Sequence, residues 1–159
     1  MNERFEGFRQ AIEAHELQVP DSWIFDNSVK PLEEALARVF QQRRRPTALV
    51  AETDHQALIA LDVAERMGLR IPEDLAVVGF SDCLANVKFL RTPLTSMRTD
   101  LAKMGQLAMQ QFMREVEHLS NKHELIPVES ELIVRASTGP APSQRQPQNA
   151  KTKGTVKSL

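Results

Sequence analysis

The chain is expected to form an α/β fold around a parallel, Rossmann-like sheet, and three features between Arg45 and Arg98 predict it. Thr47–Val50 and Leu75–Phe80 are short, almost wholly apolar runs, the pattern of strands buried on both faces of a parallel sheet. Between them, a helix over Asp54–Met67 puts Ala57, Leu58, Leu61 and Ala64 on one stripe and His55, Asp62 and Arg66 on another. Asp54 can cap the start of this helix, and Gly68 can take the left-handed conformation that ends it. Strand, helix and strand then make a crossover, right-handed almost without exception. In open sheets of this kind ligands bind beyond the carboxyl ends of the strands, here the loops Ala51–Asp54 and Phe80–Cys83.

The flanking segments extend the pattern. From Arg4 to about Glu16, Phe5, Phe8, Ala11 and Ile12 recur at helical spacing, so an amphipathic helix opens the chain. Val19-Pro20 breaks it, and Ser22–Phe25, with the single tryptophan, reads as a strand. Pro31 suits a first helical turn, with Leu32, Ala35, Leu36, Val39 and Phe40 on one face. The run Arg43-Arg44-Arg45 reads as a solvated face rather than a phosphate site. Leu84, Val87 and Leu90 mark an apolar segment after the Ser81-Asp82 loop. The most regular helix runs from Thr99 to about Leu119, and Gly105 on its apolar stripe predicts a close neighbouring element. Met97, Met104, Met109 and Met113 read as core filling, since no cysteine or histidine stands beside them to make a soft metal site. Val128–Arg135 is a final strand, and residues 139–159, rich in proline, glutamine and lysine, read as a disordered basic tail.

Composition narrows the function classes. With 159 residues, 42% of them hydrophobic, the chain can bury a real core. A net charge of -1 offers no general attraction to nucleic acid or an anionic membrane. One cysteine excludes an internal disulfide and fits a reducing compartment. The opening MNERFEGFRQ lacks a signal-peptide core and no run reaches the length of a membrane span, so the expected location is the cytoplasm. Neither a Walker pattern nor G-x-G-x-x-G occurs, and His118 and His123 are not spaced to share a helix face, so no cofactor and no metal are expected. Cys83 has no nucleophile elbow and no motif ties it to His55 as a base, so no enzyme is expected.

Five ordered motifs, PTALVAETD, GLRIPEDLAVVGFSD, TPLTSMR, MGQLA and PVESELIVRASTGP, resemble the second half of the effector-binding domain of LacI/GalR transcription regulators. That family shares its fold with periplasmic sugar-binding proteins (type I). The resemblance runs from about Arg4 to Pro140 and implies a partial effector-binding domain over 1–138. It implies the second lobe, plus a strand and helix of an incomplete first lobe at about 95–119, with a hinge near Pro93. The helix-turn-helix would be missing, with Met1 marking a truncation. Arg4, Gly7 and Phe8 match the family's R-x-x-G-F pattern, which places Arg4 on the effector. Thr53 stands where asparagine is frequent and Ser81 where the GFD or GYD loop has aspartate, with Asp54 and Asp82 adjacent. The implied ligand set is therefore Arg4, Thr53, Asp54, Ser81 and Asp82, with Thr53 and Ser81 shortening its reach. Ile59, Val63, Met67, Leu84, Val87 and Leu90 are the implied dimer contacts, core packing being the alternative for each.

The function implied is the ligand-sensing and dimerising portion of a LacI-type regulator. It would bind a sugar or similar small metabolite between lobes, form a homodimer in the full-length protein, and meet operator DNA only through the absent headpiece. Two other classes stay open: a binding protein for solute uptake, and a remnant interaction protein without a ligand. Thr53, Ser81 and the absent lobe are the evidence for the last.

Overall fold

A computed structural model describes residues 3–25, 31–83, 90–117 and 125–140. Its centre is a four-stranded sheet in the order β1 (Ala48–Val50), β2 (Ala76–Ser81), β3 (Thr95–Thr99) and β4 (Ser130–Ile133). The first three strands are parallel, with Leu49 opposite Val77 and Gly79 opposite Ser96, and β4 runs antiparallel to β3 with Met97 opposite Leu132. Helix α1 spans Glu3–Ala14, α2 Leu32–Phe40, α3 Asp54–Arg66 and α4 Leu101–Val116.

The core forms where two helical stripes meet the sheet. Leu36, Val39 and Phe40 of α2 pack with Ala57, Ala60, Leu61, Val63 and Ala64 of α3, over Leu75, Val77 and Leu94. The alanines of α3 let the helix lie close to β2. The tightest point is Gly79, where a Cβ would overlap Asp54 Oδ1 and stand 3.0 Å from Leu94 Cδ2. Gly68 ends α3 as expected, at φ 74°, with Gly68 N–H donating to Glu65 O and Leu69 N–H to Ala64 O.

Several elements depart from the pattern reading. Thr53, not Asp54, caps α3: its Oγ1 accepts from Gln56 N–H at 3.3 Å, and Asp54 is the first helical residue. Ser22–Phe25 is no strand; Asp21–Trp23 forms a 3-10 turn closed by Trp23 N–H to Pro20 O, because Pro20, Asp21 and Ser22 are turn formers. β1 is an edge strand rather than a doubly buried one, and Val50 is 60% exposed. The strand expected in the other lobe, Thr95–Arg98, is the third strand of this sheet, bonded to β2 along Val78–Ser81. Helices α1 and α4 bury no residue. Gly105 of α4 meets nothing within 4 Å, and Met104, Met109 and Met113 are exposed rather than core. Of the basic run, Arg43 and Arg44 are exposed, while Arg45 Nη1 donates to Asp74 O at 2.8 Å. Leu84, Val87, residues 118–124 and most of the basic tail lie outside the described residues.

The contact at Gly79 is the packing feature most open to test. Gly79→Ala must push α3 away from β2, so it is expected to destabilise the chain by about 2 kcal/mol in urea unfolding. A loss below about 0.5 kcal/mol would show that α3 can shift at no cost.

Candidate ligand-binding site

The carboxyl ends of β1 and β2 carry the two loops that the crossover topology singles out, and α1 brings a cation to them. Arg4 Nη1 donates to Glu52 O at 3.0 Å, and its guanidinium carbon lies 4.1 Å from the centroid of the Phe80 ring. One arginine thus bridges both strand ends through a carbonyl and an aromatic face. Thr53, half-buried, stands beside it with its oxygen engaged by the α3 cap.

The loop after β2 has unusual backbone. Ser81 lies at φ 105° and Asp82 at φ 49°, a pair of successive non-glycine residues in the left-handed half of conformational space. Such strain persists only where surrounding contacts over-determine it. Those contacts converge on Asp82, whose side chain is 3% exposed. Arg135 Nη1 donates to Oδ1 at 2.7 Å and Nη2 to Oδ2 at 2.9 Å, and Arg98 Nη2 approaches Oδ2 at 2.7 Å. Arg135 Nη1 donates also to Leu94 O at 2.6 Å. The hydrogen bond from Arg135, and then that from Arg98, hold the Asp82 carboxyl below the usual carboxylate range despite burial; Asp82 in turn raises Arg135.

Of the five predicted ligand residues, the structure brings Arg4, Thr53 and Ser81 to the carboxyl edge of the sheet. Ser81 also borders an open groove of about 730 Å³ with Cys83, Arg98 and Glu131, and its Oγ is 3.3 Å from Cys83 Sγ. Asp82 and Asp54 are placed otherwise. Both Asp82 oxygens are bonded by arginines, so its side chain anchors the loop. Asp54 is 1% exposed and lies beneath the loop, its Oδ1 accepting from Ser96 Oγ at 2.5 Å; Oδ2 has no hydrogen-bond partner among the described residues.

Sequence reasoning missed Ser96, Arg98 and Arg135, and gave Phe80 no role beyond its place in the loop. Arg135 carried a usable signal, a guanidinium directly after the strand run SELIV, where a charge needs a partner. Among the proposed dimer contacts, Val63 is 3% exposed and belongs to the core, while Ile59, Met67 and Leu90 are partly buried against it. Among the described residues, no group of three or more acidic, histidine or cysteine side chains could hold a metal. No described helix is long and apolar enough to cross a membrane.

A family model described as a periplasmic binding protein-like domain matches residues 1–138. The HTH-type transcriptional repressor PurR of Haemophilus influenzae is 31% identical over 139 residues, covering 84% of this chain and 41% of that protein. The PurR repressor of Mannheimia succiniciproducens is 29% identical over 137 residues, covering 85% and 41%. The chain thus spans about two fifths of the length of the curated relatives it matches. A regulatory protein of the LacI family from Chloroflexus aggregans superposes with a TM-score of 0.75 at 28% identity, over 86% of this chain and 50% of that one. A LacI family regulator from Lactobacillus casei with bound glucose, 22% identical, superposes at 0.71 over 85% and 49% and shows the fold alone.

The buried ion pair sets a pH dependence. Asp82→Asn is expected to cost about 3 kcal/mol in urea unfolding at pH 7, because it leaves Arg135 without its charge partner. A carboxyl held low when folded stabilises fully above its unfolded value, near pH 4, and loses that contribution as pH falls through the folded value. The gap between wild type and Asp82→Asn should therefore narrow as pH falls below about 4. A gap equally wide at pH 2.5 and pH 7 would mean that Asp82 is not held as an ion.

Proposed function

The chain belongs to the periplasmic binding protein-like domain family, in the form carried by LacI-family transcription regulators, and from that premise we propose that it forms one wall of an effector cleft. The effector is a sugar or a similar small, ring-bearing metabolite. The observation that carries this reading is the placement of Arg4 over Phe80 at the carboxyl end of the sheet, next to the strained Ser81 backbone. An arginine fork suits ring hydroxyls or carbonyls, the Ser81 and Thr53 hydroxyls can each donate or accept, and Phe80 supplies an apolar face.

In this reading the ligand acts by favouring one arrangement of the regulator over another, since only differential affinity can move a DNA-binding equilibrium. DNA contact belongs to a helix-turn-helix elsewhere in the regulator. A homodimer forms through the outer side of α3, where Ile59 and Met67 keep some exposure, together with Leu84, Val87 and Leu90. A second reading, an interaction protein without a ligand, is favoured by one observation: Leu101, Met109, Phe112 and Val116 leave the apolar side of α4 open, Phe112 being 57% exposed.

Calorimetric titration with glucose, sucrose and a set of nucleobases tests the two. The cleft reading expects one saturable binder whose affinity falls by about tenfold or more in Arg4→Ala, as for loss of a charge-assisted hydrogen bond. Folded protein that binds none of them, or an Arg4→Ala variant that binds as well as wild type, would remove the cleft reading and favour the second.

A further inference from the structure

We propose that Ser96 is a positioning residue for the cleft, its hydroxyl tying the backbone of the Ser81–Asp82 loop to the first turn of α3. Ser96 is fully buried in β3, opposite Gly79. Its Oγ accepts from Asp82 N–H at 3.2 Å and donates to Asp54 Oδ1 at 2.5 Å. The directions follow from valence: an amide can only donate, so the single hydroxyl proton goes to the carboxylate. Gly79 makes the arrangement possible, because any side chain there would occupy the space of Asp54 Oδ1.

The loop needs this support. Arg135 and Arg98 hold the Asp82 carboxylate, but neither bonds its backbone amide. Ser96 takes hold of the backbone amide itself, at the residue whose φ is 49°. Ser81, one position earlier at φ 105°, is thereby fixed from both sides. Asp54 then serves the cleft at one remove, as the acceptor that orients the Ser96 hydroxyl. The effect on affinity rests on the cleft reading; the hydrogen-bonded unit does not.

Amide hydrogen exchange on the whole 159-residue chain separates the two. Ser96→Ala is expected to speed exchange at Asp82 by about tenfold, the worth of one hydrogen bond. The Ala51 amide, which donates to Val78 O at 2.8 Å, should exchange as in wild type. Ser96→Thr, which keeps the hydroxyl, should keep Asp82 slow. Asp54→Ala makes the same prediction for Asp82 from the far end, and replaces Ser96→Ala if that variant does not fold. Unchanged exchange at Asp82, or acceleration at Ala51 to match, overturns the proposal. If a ligand has been found by titration, Ser96→Ala should weaken it by about tenfold through loss of that ordering. Full affinity despite a loosened Asp82 amide would overturn the positioning role. Loosening in a protein that binds nothing would instead count against the cleft reading alone.

Discussion

The ion pair between Arg135 and Asp82 is the constraint on which the ligand edge of this sheet depends. It closes a span of 53 residues in sequence and joins the segment after β4 to the loop after β2, two parts of the chain that share no strand pairing. Taking both charges out of water is costly, and the cost is offset only by good geometry. Here the planar guanidinium meets both carboxylate oxygens and a third bond goes to Leu94 O, a fit that lysine, with one point charge, cannot reproduce. The pair is also why the strained φ values at Ser81 and Asp82 can persist.

A second set of polar contacts finishes the same seam. Ser137 is fully buried; its Oγ donates to Val77 O at 2.6 Å and accepts from Thr95 N–H at 2.8 Å. Thr95 Oγ1 in turn accepts from Arg135 N–H at 2.8 Å. The segment after β4 therefore acts as a polar stitch across the start of β3, satisfying backbone groups that a short parallel strand would leave buried and unpaired.

What could be read from the sequence was local. The β1–α3–β2 crossover, the stop at Gly68 and the α2 and α3 core stripes all follow from periodicity and backbone preference within a dozen residues. Asp54 reads as the cap of α3, but Thr53 takes that place; the burial of Asp54 against Gly79 of β2 decides it, and that contact is not local in sequence. Asp82 looked like a free acceptor because its two arginines come from β3 and from beyond β4. The apolar stripe of α4 was legible as amphipathic, yet amphipathicity says only that a helix has an apolar side. It does not say what covers it, and in the described residues nothing does. Arg4, placed by a short motif at the start of α1, lies at the strand ends, where Glu52 O and the Phe80 ring receive it.

The long reach of the seam has a consequence for biosynthesis. During translation β2 and β3 leave the ribosome well before Arg135 and Ser137, and the bond from Ser137 to Val77 spans 60 residues. At ordinary rates of synthesis Arg135 trails Asp82 by roughly 3–10 s, although Arg98 follows it far sooner. Through that interval the nascent sheet holds the Asp82 carboxylate with Arg98 alone and the start of β3 without its stitch, so the ligand edge can be completed only after Ser137 has been made.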